Sequence, residues 1–127
     1  MSNPEAREQA LVALYAAESA DAAEPDYDGL SARAHRLTQA VWEDRRRLDT
    51  VIAGASTGWR VERMPAVDRN VLRIGTYELL ETAKPVGVAI SEAVELAKRY
   101  STAGSGRFVN GVLGTIARNE RNGAADD

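Results

Sequence analysis

Apolar residues recur at three- and four-residue intervals along nearly the whole chain, the spacing expected of helices with one buried face. Asn3 and Pro4 form a start signal, because asparagine caps a helix and proline tolerates its first position. Behind them Leu11, Leu14, Tyr15 and Glu18 share a face, with Ala10 and Ala17 beside it. The acidic, alanine-rich stretch Ala20–Asp28, which contains Pro25, predicts a loop. From Leu30 onward Leu37, Val41, Leu48 and Ile52 keep helical spacing, and no glycine or proline interrupts Leu30–Ala53. One long helix is therefore allowed. The charge cluster Glu43-Asp44-Arg45-Arg46-Arg47 equally allows a break, with Asp44 capping a second helix.

Gly54 and Gly58 end that region. Pro65 opens a further helix whose Val67, Val71, Ile74 and Leu79 face inward. Lys84-Pro85 stops it, because proline disfavours helical backbone in the residue before it. A fifth helix is predicted from about Val88 to Tyr100, burying Ala89, Ala93 and Leu96 with Ile90, Val94 and Ala97 adjoining. After the small, polar loop Ser101–Gly106, Ser105 can cap a sixth helix. Its Val109, Val112, Leu113 and Ile116 form an i, i+3, i+4, i+7 stripe. The tail Asn122–Asp127 is expected to fray. No strand-period segment of useful length appears, so the expected architecture is an all-α bundle, one domain spanning residues 1–127.

Composition narrows the function. The 127 residues are 44% hydrophobic and 28% charged, ordinary for a globular chain. Without cysteine there are no disulfides or thiolate metal sites, and no apolar run approaches a membrane span. The amino terminus lacks the charged-then-apolar order of a signal peptide, so a cytoplasmic protein is expected, with no membrane contact. The net charge of −3 argues against an indiscriminate nucleic-acid binder. The charge is uneven, however. Residues 98–121 carry Lys98, Arg99, Arg107, Arg118 and Arg121 against Glu120 alone, whereas the preceding 97 residues carry eleven basic and sixteen acidic side chains. A polyanion site would be local and near the carboxy-terminal helix, and a solvated helix face is the plainer reading.

Catalytic chemistry finds little to work with. The one histidine, His35, stands beside Arg36 in a predicted helix, and no glycine-rich phosphate loop follows a strand. Glu78 and Glu81 lie i, i+3 and could pair on a metal, but no histidine accompanies them at ligand spacing. A non-enzymatic protein without cofactor or metal is expected. The segment Arg107-Phe-Val-Asn-Gly-Val-Leu-Gly114 is more distinctive. Two glycines inside a helix cost about 1 kcal/mol each relative to alanine. Close approach of a neighbouring helix would account for them. So would a small-residue groove, lined by Gly111 and Gly114 and flanked by Arg107 and Arg118, where a phosphate backbone comes near. Phe108, the chain's one phenylalanine, can fill the core or stack on an unpaired base.

Four blocks, in order and covering most of the chain, carry a resemblance. Phe108-Val-Asn-Gly-Val-Leu113, preceded by Ser101-Thr-Ala-Gly-Ser-Gly-Arg107, resembles the closing helix of NusB proteins. Arg7-Glu-Gln-Ala-Leu-Val-Ala-Leu-Tyr15 resembles their first helix. Val67-Asp-Arg-Asn-Val-Leu-Arg-Ile-Gly-Thr-Tyr-Glu-Leu79 resembles the central helix, and Ile90-Ser-Glu-Ala-Val-Glu-Leu-Ala-Lys98 the block before the last loop. The resemblance implies two small helical bundles packed together. It also implies an antitermination factor that binds boxA-type single-stranded RNA jointly with the ribosomal protein NusE and helps RNA polymerase resist termination, notably on ribosomal RNA operons. Carried over by position, Arg7, Ser105, Arg107 and Phe108 would contact RNA. Tyr15 and Asp68 would meet NusE.

Two departures bear on affinity. Relatives usually begin with several basic residues, and here only Arg7 precedes Glu8. Ala103-Gly104 also occupies loop positions where acids are common, which lowers negative charge near the implied RNA path. Partner-assisted RNA binding is therefore expected over strong binding alone. Two other readings stay open: a helical protein–protein adaptor without RNA contact, and a NusB-like accessory domain of an RNA cytosine methyltransferase. The second needs an α/β cofactor domain for which 127 residues leave no room. Self-association as a homodimer is open too.

Overall fold

A computed structural model describes the backbone of residues 4–126 and the side chains of residues 5–120. Among the described residues there are six α-helices, one short 3-10 helix and no strand. Helix α1 spans Pro4–Ser19, α2 Ala32–Glu43, α3 Arg45–Ala55, α4 Ala66–Glu81, α5 Val86–Tyr100 and α6 Ala103–Asp126, with the 3-10 turn at Val61–Arg63 before α4. The expected cap at Asn3 lies outside the described residues, as do Asp127 and the side chains of the tail.

The 30–53 region is two helices. Ser31 caps α2 by accepting from the Ala34 N–H at 3.0 Å. Asp44 then separates α2 from α3 without capping by its side chain. Its carboxylate pairs instead with Arg47, whose Nη2 is 2.5 Å away and also reaches Glu81 on α4. Arg47 thereby ties the break to α4. Pro65 and Pro85 stand at the amino ends of α4 and α5, and α5 begins two residues earlier than the apolar spacing suggests.

Helices α1–α3 pack together, α4–α6 pack together, and α4 joins the halves by contacting α1, α2 and α3. One apolar cluster runs through both halves: Leu11 and Leu14 from α1, Val41, Leu48 and Ile52, then Val71, Leu72 and Ile74 of α4. The stripe Val109, Val112, Leu113 and Ile116 closes it, every member buried as the period requires. The close approaches occur at glycines other than those the segment in α6 suggests. A Cβ on Gly75 would lie 2.8 Å from Leu113 Cδ1, and one on Gly106 would lie 2.9 Å from Lys98 Cγ. Gly111 would meet nothing, and Gly114 only the Arg118 guanidinium at 3.5 Å. Neighbouring-helix packing therefore does not explain Gly111.

Polar groups lock α1 to α4. Glu18 accepts from Arg69 and Arg73, while Arg73 also holds Asp49 of α3 at 2.7 Å through both Nε and Nη2. Burial pushes the Glu18 carboxyl up, but hydrogen bonds and charge from Arg69 and Arg73 outweigh it and hold it below its ordinary value.

Candidate nucleic-acid interface

The loop between α5 and α6 is set by a small hydroxyl network. Thr102, not Ser105, caps α6: its Oγ1 accepts from the Ser105 N–H at 3.0 Å. This frees Ser105 Oγ for a longer reach. It donates to Asp68 Oδ2 at 3.0 Å, across 37 positions of sequence, while lying 2.9 Å from Ser101 Oγ and 3.2 Å from Thr102 Oγ1. The first turn of α6 is thereby tied to the first turn of α4. Gly106 lets that turn sit against the Lys98 stem.

Two side chains project from this anchored turn. Arg107 is exposed, and among the described residues no carboxylate pairs with it. Phe108 is half-buried: it packs against the core and meets the Trp59 ring edge-on, with centroids 5.8 Å apart and planes at 65°. Trp59 itself is 59% exposed. It is presented by a tight turn in which its N–H donates to the Ser56 carbonyl at 2.9 Å, and Gly58 adopts φ +83°, a conformation that favours glycine. Sequence reasoning missed Trp59. The available signal was a tryptophan placed directly after Ser56-Thr57-Gly58, outside any apolar stripe. The rest of the basic segment is partly engaged, since Arg99 pairs with Glu8 and Lys98 lies 3.8 Å from Glu95.

The other anticipated residues lie elsewhere. Arg7 is only 4% exposed. Its Nε and Nη2 donate to the two carboxylate oxygens of Glu78 at 2.7 and 2.8 Å, and its Nη1 pairs with Glu92. Lys84 completes the cluster, 3.4 Å from Glu78. A guanidinium so enclosed is not open to a phosphate, so the direct RNA contact expected of Arg7 is replaced by a bridge from α1 to α4 and α5. The carboxylates at i, i+3 on α4 are both engaged: Glu78 is held by Arg7, and Glu81 by Arg47.

Asp68 is likewise buried, at 5% exposure, and facing Ser105. That position removes its side chain from an open partner surface and groups it with Ser105 and Phe108. Tyr15 is 43% exposed on α1, one turn from the exposed Val12. Val12 borders a groove of about 520 Å³ that Leu30 and Tyr100 also line, rimmed by Glu5, Glu8 and Asp28. Tyr100 donates to Glu8 at 2.8 Å, which with burial and the Glu8 charge raises its pKa above the ordinary value. Among the described residues no helix is long and apolar enough to cross a membrane.

A family model described as the NusB family matches residues 4–118. The transcription antitermination protein NusB of Anaeromyxobacter sp. (strain Fw109-5) is 48% identical over 124 residues, covering 88% of this chain and 87% of that protein. Among solved structures, T. maritima NusB superposes with a TM-score of 0.79 at 34% identity, covering 93% of this chain and 92% of its own. A crystal structure of the antitermination factors NusB and NusE in complex with dsRNA superposes at 0.73 and 25% identity, covering 91% of this chain and 96% of the other.

Proposed function

Because the chain belongs to the NusB family, we propose that it is a non-catalytic, cytoplasmic transcription antitermination factor that binds boxA-type single-stranded RNA together with NusE. The observation that carries this reading is the anchored turn of α6, which offers an exposed arginine beside a partly open aromatic pair. A cation for the phosphate and a ring for the base are the two elements that single-strand binding requires. Ser105 serves by position, holding the turn on Asp68. Tyr15 and Val12 supply an apolar contact beside an acidic rim, suited to a basic partner such as a ribosomal protein. A solved relative assembles with NusE and dsRNA, in line with joint recognition.

The test is binding of a boxA-type RNA with and without NusE at two salt concentrations, using the native chain, Arg107→Glu and Phe108→Ala. Arg107→Glu is expected to weaken binding and flatten its salt dependence. Phe108→Ala is expected to weaken it by about 5- to 100-fold, the range of one lost base stack. If NusE alters neither affinity nor sequence preference, joint recognition is wrong. A protein–protein adaptor would instead show no RNA binding for either variant to lose.

A further inference from the structure

The loop carrying Trp59 and the first turns of α4 and α6 enclose a cavity of about 290 Å³, whose lining includes Trp59, Phe108, Met64, Thr102, Ser105 and Asp68. Two features of it are unaccounted for by packing. Asp68 is buried, yet only Oδ2 has a hydrogen-bond partner; Oδ1 has none. An unsatisfied buried acceptor is costly, and a native fold normally keeps one only where something else completes it. The second feature is Trp59, the most exposed large hydrophobic residue described, whose ring meets Phe108 edge-on. The volume is at the lower end for a ligand site and suits one flat heterocycle, not a longer molecule.

We infer that this cavity receives a single unpaired nucleobase, stacked on Trp59 and read at its amino edge by Asp68. The inference rests on the RNA-binding reading above and adds to it a base-reading residue and a second stacking ring. Ser105 orients the acceptor. Because Ser105 Oγ donates to Oδ2, Oδ1 is the carboxylate oxygen left to accept an N–H from a base in the cavity that Asp68 lines. Cytosine, adenine and guanine each present an exocyclic amine. The imino N–H of uracil is flanked on both sides by carbonyl oxygens, which a carboxylate repels. The site therefore prefers amino-bearing bases to uracil.

The test compares single-stranded hexamers of cytidine and of uridine, two pyrimidines of similar stacking area. Trp59 is the reporter, since the other tryptophan, Trp42, is buried. Oligo(C) is expected to quench Trp59 emission at about 10-fold lower concentration than oligo(U), and Trp59→Phe should remove the signal while keeping most of the binding. Trp59→Ala should weaken oligo(C) binding about 5- to 100-fold, followed by the anisotropy of a labelled hexamer. In Asp68→Asn the amide oxygen keeps the Ser105 bond and places an N–H donor where Oδ1 stood, so the preference for cytidine should collapse. Equal quenching by the two hexamers, a preference that survives Asp68→Asn, or unchanged binding by Trp59→Ala each overturns the pocket. If those results come with NusE-dependent, Arg107-dependent RNA binding intact, the pocket alone fails. If the chain binds no RNA under any condition, both readings fail together.

Discussion

Replacing Arg7 by methionine separates two roles that the sequence does not distinguish. Methionine keeps most of the stem but removes the cation that Glu78 holds through both oxygens and that Glu92 meets from α5. Breaking a buried ion pair by removing one partner costs about 3–5 kcal/mol, because the remaining charge stays desolvated. Here Lys84 Nζ lies 3.4 Å from Glu78 and 3.8 Å from Glu92, so some compensation survives and the lower end applies. For a chain of this size, a loss of about 3 kcal/mol lowers the thermal midpoint by roughly 10 °C. Thermal and urea melts followed by circular dichroism measure this. The double variant Arg7→Met with Glu78→Met should regain part of the loss, since one stranded carboxylate is gone. RNA binding by Arg7→Met, measured well below its midpoint, should match the native chain. A stability loss under about 1 kcal/mol would refute the enclosed ion cluster. So would a variant that melts normally but has lost RNA affinity, which would mean the guanidinium reaches RNA after all.

Three further outcomes are expected. Gly111→Ala should raise stability by about 1 kcal/mol, read as a midpoint roughly 4 °C higher, because the added Cβ meets nothing and alanine is the better helix former; unchanged RNA affinity in that variant would take Gly111 out of the proposed interface. Gly75→Ala should lose about 1 kcal/mol despite the same propensity gain, since Leu113 and Ala93, both in the buried core, stand 2.8 and 3.3 Å from the new methyl; a higher midpoint would show that Leu113 can yield. For Glu18 the folded-state pKa is depressed by Arg69 and Arg73 against the opposing effect of burial. Its contribution is therefore fully present above its ordinary value of 4.5 and is lost as pH falls through the lower folded value. Urea midpoints should drop on that acid limb, and Glu18→Gln should flatten the drop; an identical acid limb in the variant would remove Glu18 as its source.

The helical frame was legible because burial imposes a period. Every member of the stripe Val109, Val112, Leu113 and Ile116 is buried, and Pro65 marks a helix start by its backbone restriction alone, whereas Pro85, read only as a stop, also opens α5. Of the residues grouped by the resemblance, Ser105, Arg107 and Phe108 stand together at the start of α6, where the RNA contact is proposed. What escaped depends on partners distant in sequence. Arg7 reads as a free cation at a helix start until Glu78 and Glu92 are brought against it, and Asp68 reads as an open acid until Ser105 covers it. Capping was misplaced for a local reason. Thr102 and Ser105 are equally good capping types, and only the three-dimensional demand of Asp68 on the serine assigns the cap to the threonine. Trp59 belongs to no periodic segment, so pattern reasoning had no purchase on it.

The bridge from Arg7 to α4 and α5 also bears on how the chain is made. Arg7 is translated before its carboxylate partners, which follow 71 and 85 residues later. At about 5–20 residues per second, the wait for Glu92 to be synthesised is about 4 to 17 s. Late in that interval α2 and α4, the main partners of α1, are already made, but the Arg7 guanidinium still lacks its partner on α5. Full enclosure of the Arg7 charge is thus timed by translation of α5.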